Sequence, residues 1–344
     1  MRRKGMTVKP TLFRISLAVA LPVVLAVAGC ASGQSAGGPS SRSDTSTIDN
    51  GSVIEKSGNR IVDSFEYSLG DTPENIVITD RSNDEFVATL LDNTVWWSDG
   101  HTEQVVPGSS DAVTLGVAED AESRLYVAVR SQDQSVAGVW RRGTDGNWTR
   151  YAAVAPDVGL NGITFGADGT LFAADSVNGK ILSVRPGESS FDVWLDDPAL
   201  KPTSSADPVA ASGVNGLKVF DNYLYASNTA QKTLLRIPLS ERGFNSPELV
   251  VSGYAIDDFA IDSSGAFYLA VHPDNNVVRV DATGQHSTLG TADDGLDGPT
   301  AIAIAQSGIL TTNLGFLGTK HQPAIIFLTS PVAEPVLPQP LVPA

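Results

Sequence analysis

Between residues 73 and 328 a unit of four short apolar strands recurs six times, and a chain built that way has few ways to bury itself. The units open on Pro73-Glu74-Asn75-Ile76, Thr114-Leu115-Gly116-Val117, Leu160-Asn161-Gly162-Ile163, Val214-Asn215-Gly216-Leu217, Ile256-Asp257-Asp258-Phe259 and Pro299-Thr300-Ala301-Ile302. Counted at the second residue of each, the steps are 41, 46, 54, 42 and 43 residues. A period in the forties with four strands to the unit predicts the blades of a β-propeller. The second strands keep the same register, from Phe86-Val87-Ala88 through Leu171-Phe172-Ala173-Ala174 to Ile309-Leu310-Thr311-Thr312. Their continuous apolar character predicts strands covered on both faces. Asp168-Gly169, Ser264-Gly265 and Ser307-Gly308 fall between first and second strands, where a hairpin needs positive φ.

A ring must also join its ends. Residues 60–67 resemble the outer strands at 191–195 and 248–251, and are expected to complete the last blade as its outermost strand, so that no edge is left open. The fold class expected is all-β, a six-bladed β-propeller with four-stranded blades over residues 53–330 and no further domain. A hydrophobic share of 42% against 18% charged, with 32 Gly and 20 Pro, argues against a disordered chain, a coiled coil or collagen.

Arg2, Arg3, Lys4, Lys9 and Arg14 precede an apolar run that closes on Val27-Ala28-Gly29-Cys30, so residues 1–29 read as a secretory signal. As a membrane span the run would be short and broken at Pro22. Its ending resembles the bacterial lipobox, whose cysteine is lipidated. Cys30 is the single cysteine, which excludes an internal disulfide and a thiolate metal cluster. The expectation is an exported lipoprotein, at the cell surface or in the periplasm, that meets the membrane only through Cys30. Residues 30–52 suit a flexible tether, and the tail at 331–344, with five prolines, suits an extended segment. A net charge of -16 argues against nucleic acid as a partner; a monomer acting on a small molecule is expected.

In a propeller the innermost strands surround a central channel, and the residues that open them converge at its mouth. The second positions are Glu74, Leu115, Asn161, Asn215, Asp257 and Thr300. Two carboxylates and two amides in apolar surroundings need partners. All-oxygen donors with two negative charges suit calcium or another hard divalent cation, whereas zinc would prefer His or Cys. A hydrogen-bonded plug with water is the alternative. Strand alternation is expected to turn Asp258 away from Asp257, as a surface acid with a minor part.

At these residues the chain resembles the family of senescence marker protein, gluconolactonase and luciferin-regenerating enzyme, to which diisopropyl fluorophosphatase is similar in fold and site. The resemblance implies six blades and a calcium held by Glu, Asn, Asn and Asp from blades one, three, four and five. Those positions are Glu74 in Pro-Glu-Asn-Ile, Asn161 in Leu-Asn-Gly-Ile, Asn215 in Val-Asn-Gly-Leu and Asp257 in Ile-Asp-Asp-Phe. The chain departs from the family pattern at Asn75, at Asp258, and at Ala260, where a second calcium would need an acid.

Arg130, Asp175, Asn228, His272 and Asn313 close the second strands and are expected to form the next ring outward, where a substrate is gripped. An imidazole there, His272, could shuttle a proton, or simply bond a loop carbonyl. His101, His286 and His321 fall in outer loops or strands, and Trp96, Trp97, Trp140 and Trp194 on third or fourth strands, where they are expected to pack. Connections at 196–213 and 292–299 could cover the mouth.

These readings lead to a calcium-dependent hydrolase of lactone or ester type, with Asp257 as metal ligand and as base or nucleophile. The acidic surface favours a neutral sugar lactone or ester. The rival readings are a non-catalytic binding or scaffolding lipoprotein on the same fold, and a metal-free propeller similar to strictosidine synthase.

Overall fold

The computed structural model describes residues 58–66, 72–80, 82–239, 246–315 and 320–331. The signal at 1–29, Cys30, the tether at 30–52 and the tail beyond Pro331 lie outside the described residues.

Within them, 24 strands make six four-stranded antiparallel sheets. Five sheets take their strands in chain order. Blade 1 is Pro73–Asp80, Glu85–Leu90, Thr94–Trp97 and Thr102–Gln104. The innermost strands of blades 2 to 5 are Val113–Glu119, Leu160–Phe165, Val214–Phe220 and Ile256–Ile261. The sixth sheet runs Pro299–Ile304, Gly308–Asn313, Ala324–Thr329 and then Arg60–Ser64, which pairs antiparallel to its neighbour with Arg60 opposite Phe327 and Ser64 opposite Ala324. The six-bladed ring and its closure by the N-terminal strand are as expected from the repeats. That strand ends at Ser64 rather than at residue 67.

The core is divided among the seams between blades. Val87, Val95 and Val127 pack between blades 1 and 2, and Tyr126, Leu160 and Leu171 between blades 2 and 3. Leu217, Leu224 and Ile181 fill the next seam, then Ile256, Phe259 and Leu234. Tyr268, Ile302 and Ile326 join blades 5 and 6, and Ile76, Ala301 and Ile325 close the ring. Each such side chain stabilises by about 1.5–3 kcal/mol on burial. A blade has a buried face only while both neighbours are present, so the strand at Arg60–Ser64 secures two seams at once.

Gly169 and Gly265 take φ of 78° and 82° in their hairpins, as the sequence implied. Gly308 differs: it opens its strand, and a side chain there would collide with the Leu328 carbonyl.

Every innermost strand is bulged near its start. In blade 4 Val214 faces Asn228 and Leu217 faces Ala226, so Asn215 and Gly216 together oppose Ser227. The same shift follows Pro73, Thr114, Leu160, Ile256 and Pro299. A bulge interrupts the two-residue alternation and turns consecutive residues toward one side. Below the bulges the strands part into a funnel of about 570 Å³, lined by Ile76, Ile163, Phe165, Val219, Ile261 and Ile302 among others.

Candidate functional site

Five of the six marker residues that open the innermost strands, Glu74, Leu115, Asn161, Asn215 and Asp257, line one cavity of about 40 Å³ at the upper mouth of the channel. Thr300 is not among its lining residues; its hydroxyl lies 2.9 Å from that of Thr312. Gly116, Gly162 and Gly216 follow the markers of blades 2 to 4 and let neighbouring strands approach: a side chain at Gly116 would strike the Asn161 carbonyl, and one at Gly162 the Asn215 carbonyl. Close strands are what bring side chains from several blades together.

Asp257 is held on both oxygens. Its Oδ1 accepts from Asn215 Nδ2 at 2.6 Å, and its Oδ2 lies 3.1 Å from His272 Nδ1. Asn215 Nδ2 also lies within reach of the hydroxyls of Thr229 (3.0 Å) and Ser212 (3.3 Å). His272 is 5% exposed, and its Nε2 is buried without a hydrogen-bond partner among the described residues. Arg130 reaches in from blade 2, its Nε 2.5 Å from the Leu160 carbonyl and its Nη2 3.0 Å from that of Gly159 and 2.8 Å from Ser176 Oγ. Burial pulls its guanidinium down to about 10, against the opposing pull of Glu74, Asp175 and Asp257.

Glu74 is the least satisfied member. Its side chain is buried, and no hydrogen bond reaches its carboxylate among the described residues. Burial, then the charge of Asp257, raises its pKa well above the usual glutamate range, and Arg130 offsets this only in part. Asn161, 7% exposed, likewise lines the cavity with no hydrogen bond to its amide among the described residues.

These observations test the donor set against a cation. Two acids that repel each other, one of them without a hydrogen bond, and an unengaged amide fit a hard divalent ion in type. Asn215, as placed, presents nitrogen to Asp257, so it would have to turn its amide over to serve as an oxygen ligand. No group of three or more His, Cys, Asp or Glu suited to a metal gathers among the described residues, so the two asparagines are indispensable to any such site.

The outer ring differs from its expectation. Arg130 and His272 line the cavity, but Asp175, Asn228 and Asn313 do not. Asp175 accepts from the backbone of Gly159 and Asn178, Asn228 donates to the carbonyls of Ala199 and Lys201, and Asn313 donates to that of Gly295. The cause is a slip of one residue. Asp175, Asn228 and Asn313 stand opposite Leu160, Val214 and Pro299, the residues just before the markers, a place held in blade 2 by Val129 opposite Thr114. In blade 5 that place belongs to Val271, and His272 lies one residue further on. A step of one reverses the facing of a side chain. The residues that face the mouth are therefore Leu91, Arg130, Thr229, His272 and Leu314, with Ser176, in the equivalent place of blade 3, reaching Arg130. Aligning on His272 instead of on Asn228 would have exposed the slip in the sequence.

Asp258 is not a surface acid. It is 3% exposed and lies in the channel, where Lys218 Nζ meets both its oxygens at 2.7 Å and Asn75 Nδ2 donates to it at 3.2 Å. Those partners come from blades 4 and 1, so this trio spans the channel below the cavity and forms its floor. The bulge after Ile256 explains why Asp257 and Asp258 both reach the channel although they are adjacent. The loop at 197–213 contributes Pro208, Val209 and Ser212 to the mouth; the turn at 292–294 does not line it.

No family model and no curated protein sequence matches this chain. Its fold is nevertheless shared by solved structures. A gluconolactonase from Xanthomonas campestris is 15% identical with a TM-score of 0.56, over 79% of this chain and 95% of that one. A calcium-binding protein, regucalcin, from Agrobacterium tumefaciens is 17% identical with a TM-score of 0.54, over 82% and 98%. A catalytically inactive variant of virginiamycin B lyase from Staphylococcus aureus is 13% identical with a TM-score of 0.55, over 79% and 99%. At such identities the likeness is one of fold, and at that level it agrees with the resemblance read from the repeats.

Proposed function

We propose that the upper mouth is the active site of a hydrolase acting on a lactone or ester. The observation that carries this reading is the meeting of Glu74, Asp257, Arg130 and His272 in one small cavity with two asparagine amides. Glu74, Asn161, Asn215 and Asp257 are the groups that would hold a divalent cation, calcium before others because every donor is oxygen. Such a cation, when bound, supplies Lewis-acid polarisation of a carbonyl.

The protein's own groups do the rest. Asp257 takes the proton of a water that adds to the carbonyl carbon, and returns it to the alkoxide oxygen as the acyl–oxygen bond breaks. His272 positions Asp257: its Nδ1 holds one carboxylate oxygen and so fixes the other toward Asn215. Arg130, fixed by two backbone carbonyls, presents positive charge to negative charge developing at the mouth. Pro208 and Val209 line the cavity from the 197–213 loop, and a cavity of about 40 Å³ has room for a few water molecules at most, so that loop would have to shift for a substrate to enter.

The test is lactone hydrolysis with and without a chelator. Turnover lost in chelator and restored by calcium supports the reading; turnover indifferent to chelator, or none across a panel of lactones and esters, overturns it. The second reading, a binding protein without turnover, draws on the same cavity and predicts calcium-dependent melting without hydrolysis. We further propose that the chain is exported and lipid-anchored at Cys30, on the strength of the sequence of residues 1–30; loss of radiolabelled palmitate in Cys30→Ser checks it.

A further inference from the structure

The cavity is unevenly polar. Blades 3, 4 and 5 contribute Asn161, Asn215, Thr229, Asp257 and His272, whereas blades 6, 1 and 2 contribute Leu314, Leu91, Val113 and Leu115, with Glu74 and Arg130 as their only charged groups among the described residues. Leu91, Leu115 and Leu314 form a cluster of their own, 4%, 5% and 2% exposed, with Val113 packed against it. Pro208 and Val209 extend this wall from the covering loop.

Most polar groups opposite are already engaged. Thr229 Oγ1 donates to the Ile256 carbonyl, Asn215 is shared among three acceptors, and Arg130 is fixed on backbone oxygens. Glu74, Asn161 and His272 Nε2 remain, and all three belong to the reacting head of the site. A polyhydroxylated substrate would turn hydroxyls against leucine and valine, at roughly a tenfold penalty for each one left unpaired.

Resting on the hydrolase reading above, we propose that the substrate is a lactone or ester whose body is apolar, an alkyl or aryl group lying on the Leu91–Val113–Leu115–Leu314 wall, and not a sugar lactone. A buried methylene is worth roughly a fourfold gain in transition-state binding, so chain length is the sensitive variable.

The full-length protein should be assayed with δ-valerolactone, δ-decalactone and glucono-δ-lactone under one buffer and calcium concentration. The expected kcat/KM for δ-decalactone exceeds that for δ-valerolactone by about tenfold or more, since several methylenes reach the wall, and glucono-δ-lactone is the poorest of the three. Val113→Thr, nearly isosteric, compresses the first ratio by about threefold through one added hydroxyl. Equal rates for the first two compounds, or preference for glucono-δ-lactone, overturn the proposal. Thermal shifts with δ-decanolactam and gluconolactam, which resist hydrolysis, keep the two readings apart. Preferential stabilisation by the pentyl lactam without turnover of any lactone removes the hydrolase and retains the apolar site. Stabilisation by gluconolactam in preference, or by neither lactam, removes the apolar site even if some lactone is hydrolysed.

Discussion

At its upper end the channel narrows to about 40 Å³, where two carboxylates, a guanidinium and an imidazole crowd together; at its lower end the same six strands part into a funnel of about 570 Å³ whose walls mix isoleucine and valine with polar residues such as Asp80, Glu119 and Asp120. Between them lies the floor of Asn75, Lys218 and Asp258. The contrast comes from backbone register. At the top a bulge turns consecutive residues inward and glycines at 116, 162 and 216 draw the strands close. Below, alternation returns, and inward positions such as Ile76, Ile163 and Ile302 carry no charge. A polar site needs side chains near enough to share charge, and only the bulged end provides that proximity.

The hardest blow to this contrast is Asp257→Ala. Hydrolysis is expected to fall by about a thousandfold or more, in line with the loss of a group that acts on developing charge, while Val219→Thr in the lower funnel leaves kcat/KM within about twofold. Comparable losses in the two variants would erase the functional difference between the ends.

Calcium comes next. At a hundredfold excess over Kd it should stabilise the native protein by about 2.7 kcal/mol, read as a rise in Tm, and Glu74→Gln should remove most of that gain. Equal stabilisation of both proteins would place the ion elsewhere.

The floor can be broken from below. Lys218→Met leaves the buried Asp258 carboxylate with only the Asn75 amide and the Phe259 backbone N–H, at 3.2 and 2.8 Å. A cost of about 2 kcal/mol in urea denaturation is expected, less than for a fully buried pair because the lysine side chain is 30% exposed. Restoration by the additional change Asp258→Asn would confirm that stranded charge is the cause; a cost under about 0.5 kcal/mol would mean the pair behaves as a surface contact.

The smallest effect is the pH slope of the cation-free protein. Glu74 has a folded-state pKa raised above its ordinary value of 4.5, by burial first and by Asp257 second. The native state therefore holds a proton that the unfolded chain releases. Its contribution is fully present below pH 4.5 and is lost as the pH rises through the folded-state pKa. In chelator, wild type should lose stability relative to Glu74→Gln as the pH rises from 4.5 to about 8. Parallel stability curves for the two proteins would remove the raised pKa from the account.

The ring and most of the hub were legible in the sequence, and the limits of that legibility have a clear physical origin. Glu74, Asn161, Asn215 and Asp257 could be found because each follows the opening residue of an inner strand, and a repeat carries that position around the ring. Asp175, Asn228 and Asn313 were placed wrongly by one residue, a shift invisible to hydrophobic pattern in strands that are apolar on both faces. Asp258 was misjudged because simple alternation does not hold across a bulge, and a bulge has no fixed signature in residue type. The repeat put Leu115 at the mouth, but Leu91 and Leu314 were not singled out, since nothing in a leucine tells whether it faces another blade or an opening.

By itself, then, the sequence determined the number of blades, the strand that closes them and the residues that open the channel, because these follow from periodicity along the chain. Which side chains share the cavity, that its far wall is apolar, and that a lysine and an aspartate floor it were decided only in three dimensions. Those facts depend on how closely blades distant in the chain approach one another and on which way a side chain turns after a bulge, and neither is written in local residue order.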